Sequence, residues 1–381
     1  MAKIGIITIF KSDNYGAELQ AFALQKNLEL MGFDSELIDY PFYKHPSHQH
    51  TRGSAPLFPI GTANRLKEWT YPYWQYVKSL PRRQDVFTRR TRMDAFHRAY
   101  TRLSLRTYHT IEQLNAADHP YDVFMVGSDQ VWNPRMNSSL DPYFLTFAPE
   151  GRRRVSYASS FGVSKLPEVV KRVYSQRLSV FDALSAREKQ GVAILRELVG
   201  RDAAHVLDPT LLLGASDWDR VAVSPTVDAP YVLLYELMPC AAAMVVAKNV
   251  AREITGARVI RICGDGGQVP TRGITDVADA GPSEFVGLFL HAAAVVTNSF
   301  HGTAFAVNFQ KPVFPVIPKK MTNSNRISGL LEMTGLTGRS ISAGQEPPQE
   351  LTLTFDASAV VARLDAARER SLTYLAAAVA G

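Results

Sequence analysis

Short, almost uninterrupted apolar runs recur along this chain, each ending in a few polar residues or glycine and most followed by a helix-forming stretch. That alternation restricts it to an α/β fold. Tyr231–Tyr235, Arg258–Ile262, Ala294–Thr297 and Val313–Ile317 have the length and composition of strands covered on both faces, as in a parallel sheet. The N-terminal half repeats the pattern, with strands expected at 4–10, 35–38, 123–127, 154–158, 183–186 and 204–207. Residues 17–31 carry Leu19, Phe22, Ala23, Leu28 and Met31 near helical spacing and stop at Gly32, a helix ending. Further helices are expected at 84–100, 241–255, 283–291 and 358–380. Strand, helix, strand in this order predicts parallel sheets with helices on both faces.

At 381 residues the chain exceeds what one core organises, so two domains are expected. Composition turns polar after Asp208-Pro209-Thr210-Leu211, with Pro225 and Pro230 following. The division is therefore placed as an N-terminal Rossmann-like lobe over 1–213 and a C-terminal one over 214–381 that includes the terminal helix. Residues near 45–106 interrupt the first lobe with prolines, aromatics and arginines, which reads as an insertion. Two doubly wound lobes facing across a cleft would resemble the arrangement called GT-B, although alternation alone does not separate it from other paired Rossmann-like folds.

Hydrophobic residues make up 46% and charged residues 20%, an ordinary globular composition, and no apolar run is long enough to span a bilayer. The opening Ile4 to Ile9 run breaks early into Lys11-Ser12-Asp13-Asn14 and reads as a first strand, not a secretory core. Two cysteines, Cys240 and Cys263, supply neither a disulfide framework nor a metal-ligand cluster, which suits a reducing cytoplasm. The formal charge is +6, with eight arginines between Arg82 and Arg106. Such a field attracts an anionic membrane surface, including its inner face, or a phosphorylated substrate. No nucleic-acid motif accompanies it. The aromatics Trp69, Tyr71, Tyr73, Trp74 and Tyr76 just upstream read as an interfacial anchor, a sugar platform or simple core.

Chemistry is expected at the carboxyl ends of the strands, where open α/β sheets bind ligands. Thr297-Asn298-Ser299-Phe300-His301-Gly302-Thr303 sets a histidine at an abrupt strand-to-helix turn, where helix N–H groups favour an anion and an imidazole can exchange a proton. A lone histidine satisfied by backbone is the ordinary reading; the flanking grammar favours the chemical one. Lys11 to Gln20 follows the first strand with a polar turn and Gly16, yet lacks the spacing of a dinucleotide or phosphate loop. Asn14, Tyr15 and Gly16 read equally as a ligand cradle or a helix cap. Gly127-Ser128-Asp129-Gln130-Val131-Trp132 places Ser128 and a carboxylate at a third strand end, with Trp132 offering a flat face to a carbohydrate. Arg187 ends another strand, and Arg326, Lys319 and Lys320 follow a later one, all suited to phosphate or carboxylate.

Asn14-Tyr15-Gly16 with Leu19-Gln20, Gly127 to Pro134, Ser185-Ala186-Arg187-Glu188, Asp208-Pro209-Thr210 and Ser299-Phe300-His301-Gly302 resemble the polysaccharide pyruvyl transferase family in order and spacing, from Lys3 to about Gly335. The resemblance implies a GT-B-like fold, phosphoenolpyruvate as donor, no further cofactor, and a glycan or lipid-linked oligosaccharide acceptor that takes pyruvate as a ketal across two hydroxyls. It implies that His301 is the general acid and Arg187 binds the donor. Asp129 is a candidate base toward the acceptor. Some members carry an arginine two residues before this histidine, where Ser299 stands here, so donor binding is expected to draw on Arg326, Lys11 or Lys319 and Lys320. A nucleotide-sugar glycosyltransferase and a non-catalytic anionic-glycan-binding protein are the alternatives.

Overall fold

A computed structural model describes residues 2–41, 82–136, 138–263, 269–321, 324–344 and 351–381. The aromatic group from Trp69 to Tyr76 and Asn323 lie outside the described residues. Contacts divide the chain into two compact units, Met1–Lys67 with His97–Leu212 and Ala367–Gly381, and Glu68–Phe96 with Leu213–Ala366.

The first unit holds strands β1 (Lys3–Ile7), β2 (Asp34–Leu37), β3 (Val123–Val126) and β4 (Arg153–Ser156) in the order β2-β1-β3-β4, all parallel. Bridges from Val155 to Ala183 and from Ser159 to Ala186 carry the ladder on to β5 (Ser185–Ala186), which pairs with β6 (Ala204–His205). Helices α1 (Tyr15–Leu30), α2 (Arg83–Tyr100), α3 (Ile111–Asn115), α4 (Glu168–Leu178) and α5 (Lys189–Val199) fall between them in the chain, α2 belonging to this unit only from His97 onward. The period-2 alternation of a strand explains the layering. Val123 and Met125 pack on one face with Leu24 and Leu28 of α1, while Phe124 and Val126 pack on the other with Trp132, Phe144 and Tyr174. Reversal of strand order between β1 and β3 makes a topological switch point at their carboxyl ends.

In the second unit, β7 (Tyr231–Tyr235), β8 (Arg258–Ile262), β9 (Ile274–Val277), β10 (Ala294–Thr297), β11 (Val313–Ile317) and β12 (Ile341–Ser342) form one parallel sheet in the order β12-β11-β10-β7-β8-β9. Its helices are α6 (Ala215–Asp219), α7 (Ala241–Arg252), α8 (Pro282–His291), α9 (Phe300–Asn308) and α10 (Asn325–Thr334). This is the doubly wound dinucleotide-fold order, with its switch point between β7 and β10. Val232, Leu234 and Val296 are fully buried against α7, which explains the continuous apolar runs in the sequence.

Two features depart from the expected division. The last helix, α11 (Ala357–Ala380), sends Leu375, Ala378 and Val379 into the core of the first unit, where the sequence reading assigned the whole tail to the second lobe. Arg153 Nε donates to Ala378 O at 2.7 Å and Tyr374 Oη to Ser156 O at 2.9 Å, so the attachment is polar as well as apolar. The basic segment departs as well: the sequence places it as an insertion in the first lobe, whereas its residues up to Phe96 belong to the second unit. Arg82 pairs with Asp276 at 2.7 Å, Arg89 donates to Cys263 O at 3.3 Å, and Arg92 reaches Asp279 at 2.9 Å, all inside the second unit.

Candidate functional site

The sequence-chosen residues divide between the two switch points. In the first unit, β1 and β3 approach closely at their ends: a Cβ on Gly127 would lie 2.9 Å from Thr8 Cβ, and Thr8 Oγ1 donates to Ser128 O at 2.9 Å. Lys11, Asp13, Asp129 and Ala158 adopt left-handed backbone at this edge, with φ of 53°, 55°, 68° and 53°. Non-glycine residues held in that region cost about 1–3 kcal/mol each and cluster where function needs a shape that packing alone would not choose.

Arg187 is the hub of this edge. Its guanidinium donates to Asp208 at 2.7 Å and Glu188 at 3.0 Å, and lies 3.9 Å from Asp129. Burial disfavours its charge, but Glu188, Asp208 and Asp129 outweigh that and hold its pKa above the usual value. Asp208 also accepts from Ser128 Oγ at 3.0 Å and Thr210 Oγ1 at 2.7 Å. Glu188 accepts from Ser160 Oγ at 3.0 Å.

The structure thus brings Ser128, Asp129 and Arg187 together and gives several other residues scaffold work. Asn14 caps α1, its Oδ1 accepting from Gly16 N at 3.0 Å, so the Gly16 amide is engaged by the chain itself. Tyr15 is buried as the first residue of that helix. Lys11 pairs with Asp39 at 2.7 Å, and Glu18 holds the backbone of Lys11 and Ser12 at 3.1 and 2.7 Å while contacting His97 Nε2 at 2.7 Å. Trp132 corrects the carbohydrate-platform expectation. It is fully buried, stacked 6.4 Å from Phe144 and tilted against Phe161 at 5.3 Å, and its indole N–H donates to Tyr143 O at 2.9 Å. Its faces are already occupied.

In the second unit the elbow after β10 is fixed by short-range hydrogen bonds. Thr297 Oγ1 donates to Tyr235 O at 2.6 Å and accepts from Ser299 N at 3.0 Å. Asn298 reaches across the switch point, accepting from Leu237 N at 2.8 Å and donating to Met238 O at 2.6 Å. Ser299 caps α9 by accepting from Gly302 N at 3.2 Å. His301 stands in the first turn of α9, 7% exposed, with its ring 5.2 Å from that of Phe300. Gly302 has no room for a side chain, since a Cβ would lie 2.4 Å from Thr297 Oγ1. Arg326 is half-buried at the start of α10, while Lys319 and Lys320 are exposed after β11.

Sequence reasoning missed Glu236. It follows β7 directly, opposite the His301 elbow across the switch point, and is buried. Burial pushes its carboxyl up to about 7, against the Cys240 N–H at 2.9 Å and the Arg261 charge, which favour ionisation. The signal was present: an acid ending the apolar run Tyr-Val-Leu-Leu-Tyr has the same grammar that singled out Asp129.

Among the described residues no three His, Cys, Asp or Glu side chains converge into a group able to hold a metal ion. No helix of the described residues is long and apolar enough to cross a membrane.

The family described as polysaccharide pyruvyl transferase matches residues 14–319. No curated protein matches the chain. Among solved structures, the UDP-GlcNAc 2-epimerase from Methanocaldococcus jannaschii is 12% identical, with 95% of this chain and 92% of that one covered and a TM-score of 0.45. The α,α-trehalose 6-phosphate synthase from Burkholderia multivorans is 11% identical, covering 100% and 98% with a TM-score of 0.45. A glycosyltransferase from Streptomyces nogalater is 12% identical, covering 99% and 99% with a TM-score of 0.41.

Proposed function

Because the chain belongs to the polysaccharide pyruvyl transferase family, we propose that it moves the pyruvyl group of phosphoenolpyruvate onto two hydroxyls of a glycan or lipid-linked glycan and releases phosphate. His301, held in the first turn of α9 at the carboxyl edge of the second sheet, is the observation that carries this reading. Its imidazolium protonates the methylene carbon of the donor, leaving an oxocarbenium-like centre that one acceptor hydroxyl attacks. The second hydroxyl then displaces phosphate. Of the two hydroxyl protons, one restores the imidazolium and the other leaves with phosphate, so the net reaction is donor plus diol to ketal plus phosphate.

The donor's anionic groups fall to the amino terminus of α9 and to Arg326, because a helix amino terminus and a guanidinium both stabilise charge that grows as phosphate departs. Arg187 was expected to bind the donor. Three carboxylates within 4 Å leave its surroundings negative, which suits a hydroxyl-bearing acceptor better than a phosphate. We therefore assign Arg187 to holding Asp129, and Asp129 to gripping an acceptor hydroxyl.

The test is incubation with phosphoenolpyruvate and a panel of glycans, following phosphate release and the acceptor's gain of pyruvate less water. Turnover of a nucleotide sugar in place of phosphoenolpyruvate, or no phosphate release with any acceptor, would overturn it.

A further inference from the structure

On the opposite edge of the second sheet, where β8 and β9 begin, lies a depression of about 430 Å³ lined by Lys248, Arg252, Arg258 and Arg272 with Thr275 at its side. Ala251, Ala257 and Val259 add aliphatic surface to its lining. Because the strands are parallel, it lies away from the His301 elbow, which follows the carboxyl end of β10.

Four cations line it with no counterion among the described residues. Elsewhere in this unit arginines find carboxylates: Arg82 and Arg261 share Asp276 at 2.7 and 2.8 Å, and Arg92 has Asp279 at 2.9 Å. No carboxylate among the described residues pairs with any of the pocket's four. Lys248 donates to Arg272 O at 3.0 Å and Arg252 to Asn249 at 2.9 Å, contacts that leave their charges uncompensated. The carboxyl terminus of α7 accounts for part of this, since a helix end favours nearby cations. It does not account for Arg258, which opens β8, or Arg272, which arrives from the segment before β9. Lys248 and Arg252 are also four residues apart on one helix, a spacing at which like charges repel unless an anion bridges them.

We propose that this depression binds a multiply charged, phosphate-bearing anion, with Arg258 and Arg272 gripping its oxygens and Lys248 and Arg252 neutralising the remaining charge. Guanidinium groups suit phosphate oxygens bidentately, and a volume of 430 Å³ falls within the range of small-ligand sites. The ligand is either a soluble phosphate compound or the phosphate headgroup of a lipid. The inference is independent of the reaction at the other edge.

Calorimetric titration of the full chain with inorganic diphosphate tests it, comparing the unsubstituted protein with Arg258→Gln, Arg272→Gln and their combination. Each single change should weaken binding by about tenfold or more, the loss expected of a charge-assisted hydrogen bond, while thermal stability stays put because both side chains are exposed. Cosedimentation with phosphatidylcholine vesicles carrying phosphatidic acid separates the sources: retention that depends on the same arginines assigns the headgroup, and diphosphate binding without retention assigns a soluble ligand. Diphosphate that fails to bind, or that binds the doubly substituted chain equally well, overturns the proposal. Displacement of diphosphate by phosphoenolpyruvate with no effect of the substitutions would place it elsewhere and overturn it too.

Discussion

Arg187 donates to Asp208 across 2.7 Å with both side chains almost wholly excluded from water, and Glu188 and Asp129 remain beside the guanidinium if Asp208 is removed. Asp208→Ala should lower unfolding free energy by about 1–3 kcal/mol, the cost of a lost buried hydrogen bond to a charged group whose other partners persist. Ser128 and Thr210 lose their acceptor in the same step. Urea denaturation measures the effect, and a loss below about 1 kcal/mol would show that this edge relaxes readily.

His301→Ala should reduce kcat by about 100- to 10,000-fold, as expected on removing a general acid, with donor affinity little changed. Phosphate release under saturating donor measures the first quantity and equilibrium donor binding the second. A variant that lost donor affinity at unchanged kcat would make His301 a binding residue only.

The strands of the second sheet were legible because strands covered on both faces leave long apolar runs: Tyr231–Tyr235, Arg258–Ile262, Ala294–Thr297 and Val313–Ile317 emerge with the bounds the sequence suggested. β9 escaped notice since its four residues include Asp276, whose place in a strand is secured by Arg261 from the neighbouring strand and Arg82 from before α2. What sequence could not supply was partnership. Asp39, which takes up Lys11, lies 28 residues away, and Asp208, which takes up Arg187, lies 21 away. Neither separation has a local signature. The same holds for Arg82 and for Arg92 of α2, whose partners Asp276 for the first and Asp279 and Glu284 for the second lie far along the chain.

Glu236 should make stability fall as pH rises. Its folded pKa, about 7, lies above the ordinary 4.5, so between those values the folded state keeps a proton that the unfolded chain has lost. The stabilisation is complete below the unfolded pKa, declines by about 1.4 kcal/mol per pH unit through the interval, and is gone once pH exceeds the folded value. Glu236→Gln keeps an oxygen for the Cys240 N–H and cannot ionise. Its unfolding free energy, measured by denaturant titration from pH 5 to pH 8, should lack this slope; an identical slope in both proteins would assign it to another group.

Gly302→Ala forces a methyl to within 2.4 Å of Thr297 Oγ1 and 3.0 Å of the Tyr235 ring. Thr297 is fully buried and tied to Tyr235 O and Ser299 N, so it cannot swing away. Overpacking of this kind costs about 1–3 kcal/mol. Thr297→Ala removes the clashing hydroxyl along with its two hydrogen bonds, and the double substitution should therefore cost less than the sum of the singles by at least about 0.5 kcal/mol. Strict additivity would mean the helix shifts away instead.

Trp132 separates a core role from a ligand role most cleanly. Its ring is enclosed by Phe144, Phe161 and Phe181, with the Tyr143 carbonyl taking the indole N–H at 2.9 Å. Trp132→Phe leaves a void and strands that carbonyl, which should cost about 2–4 kcal/mol of stability. Acceptor KM, read below the variant's unfolding transition, should stay within about twofold, because the ring has no face left for a sugar. An indole stacked on a glycan would behave in the opposite way, with the loss appearing in acceptor KM and stability nearly unchanged, since base and sugar platforms are exposed before the ligand arrives. Thermal unfolding and acceptor saturation curves on the same preparation distinguish the two, and a large rise in KM at unchanged stability would return Trp132 to the acceptor's binding surface.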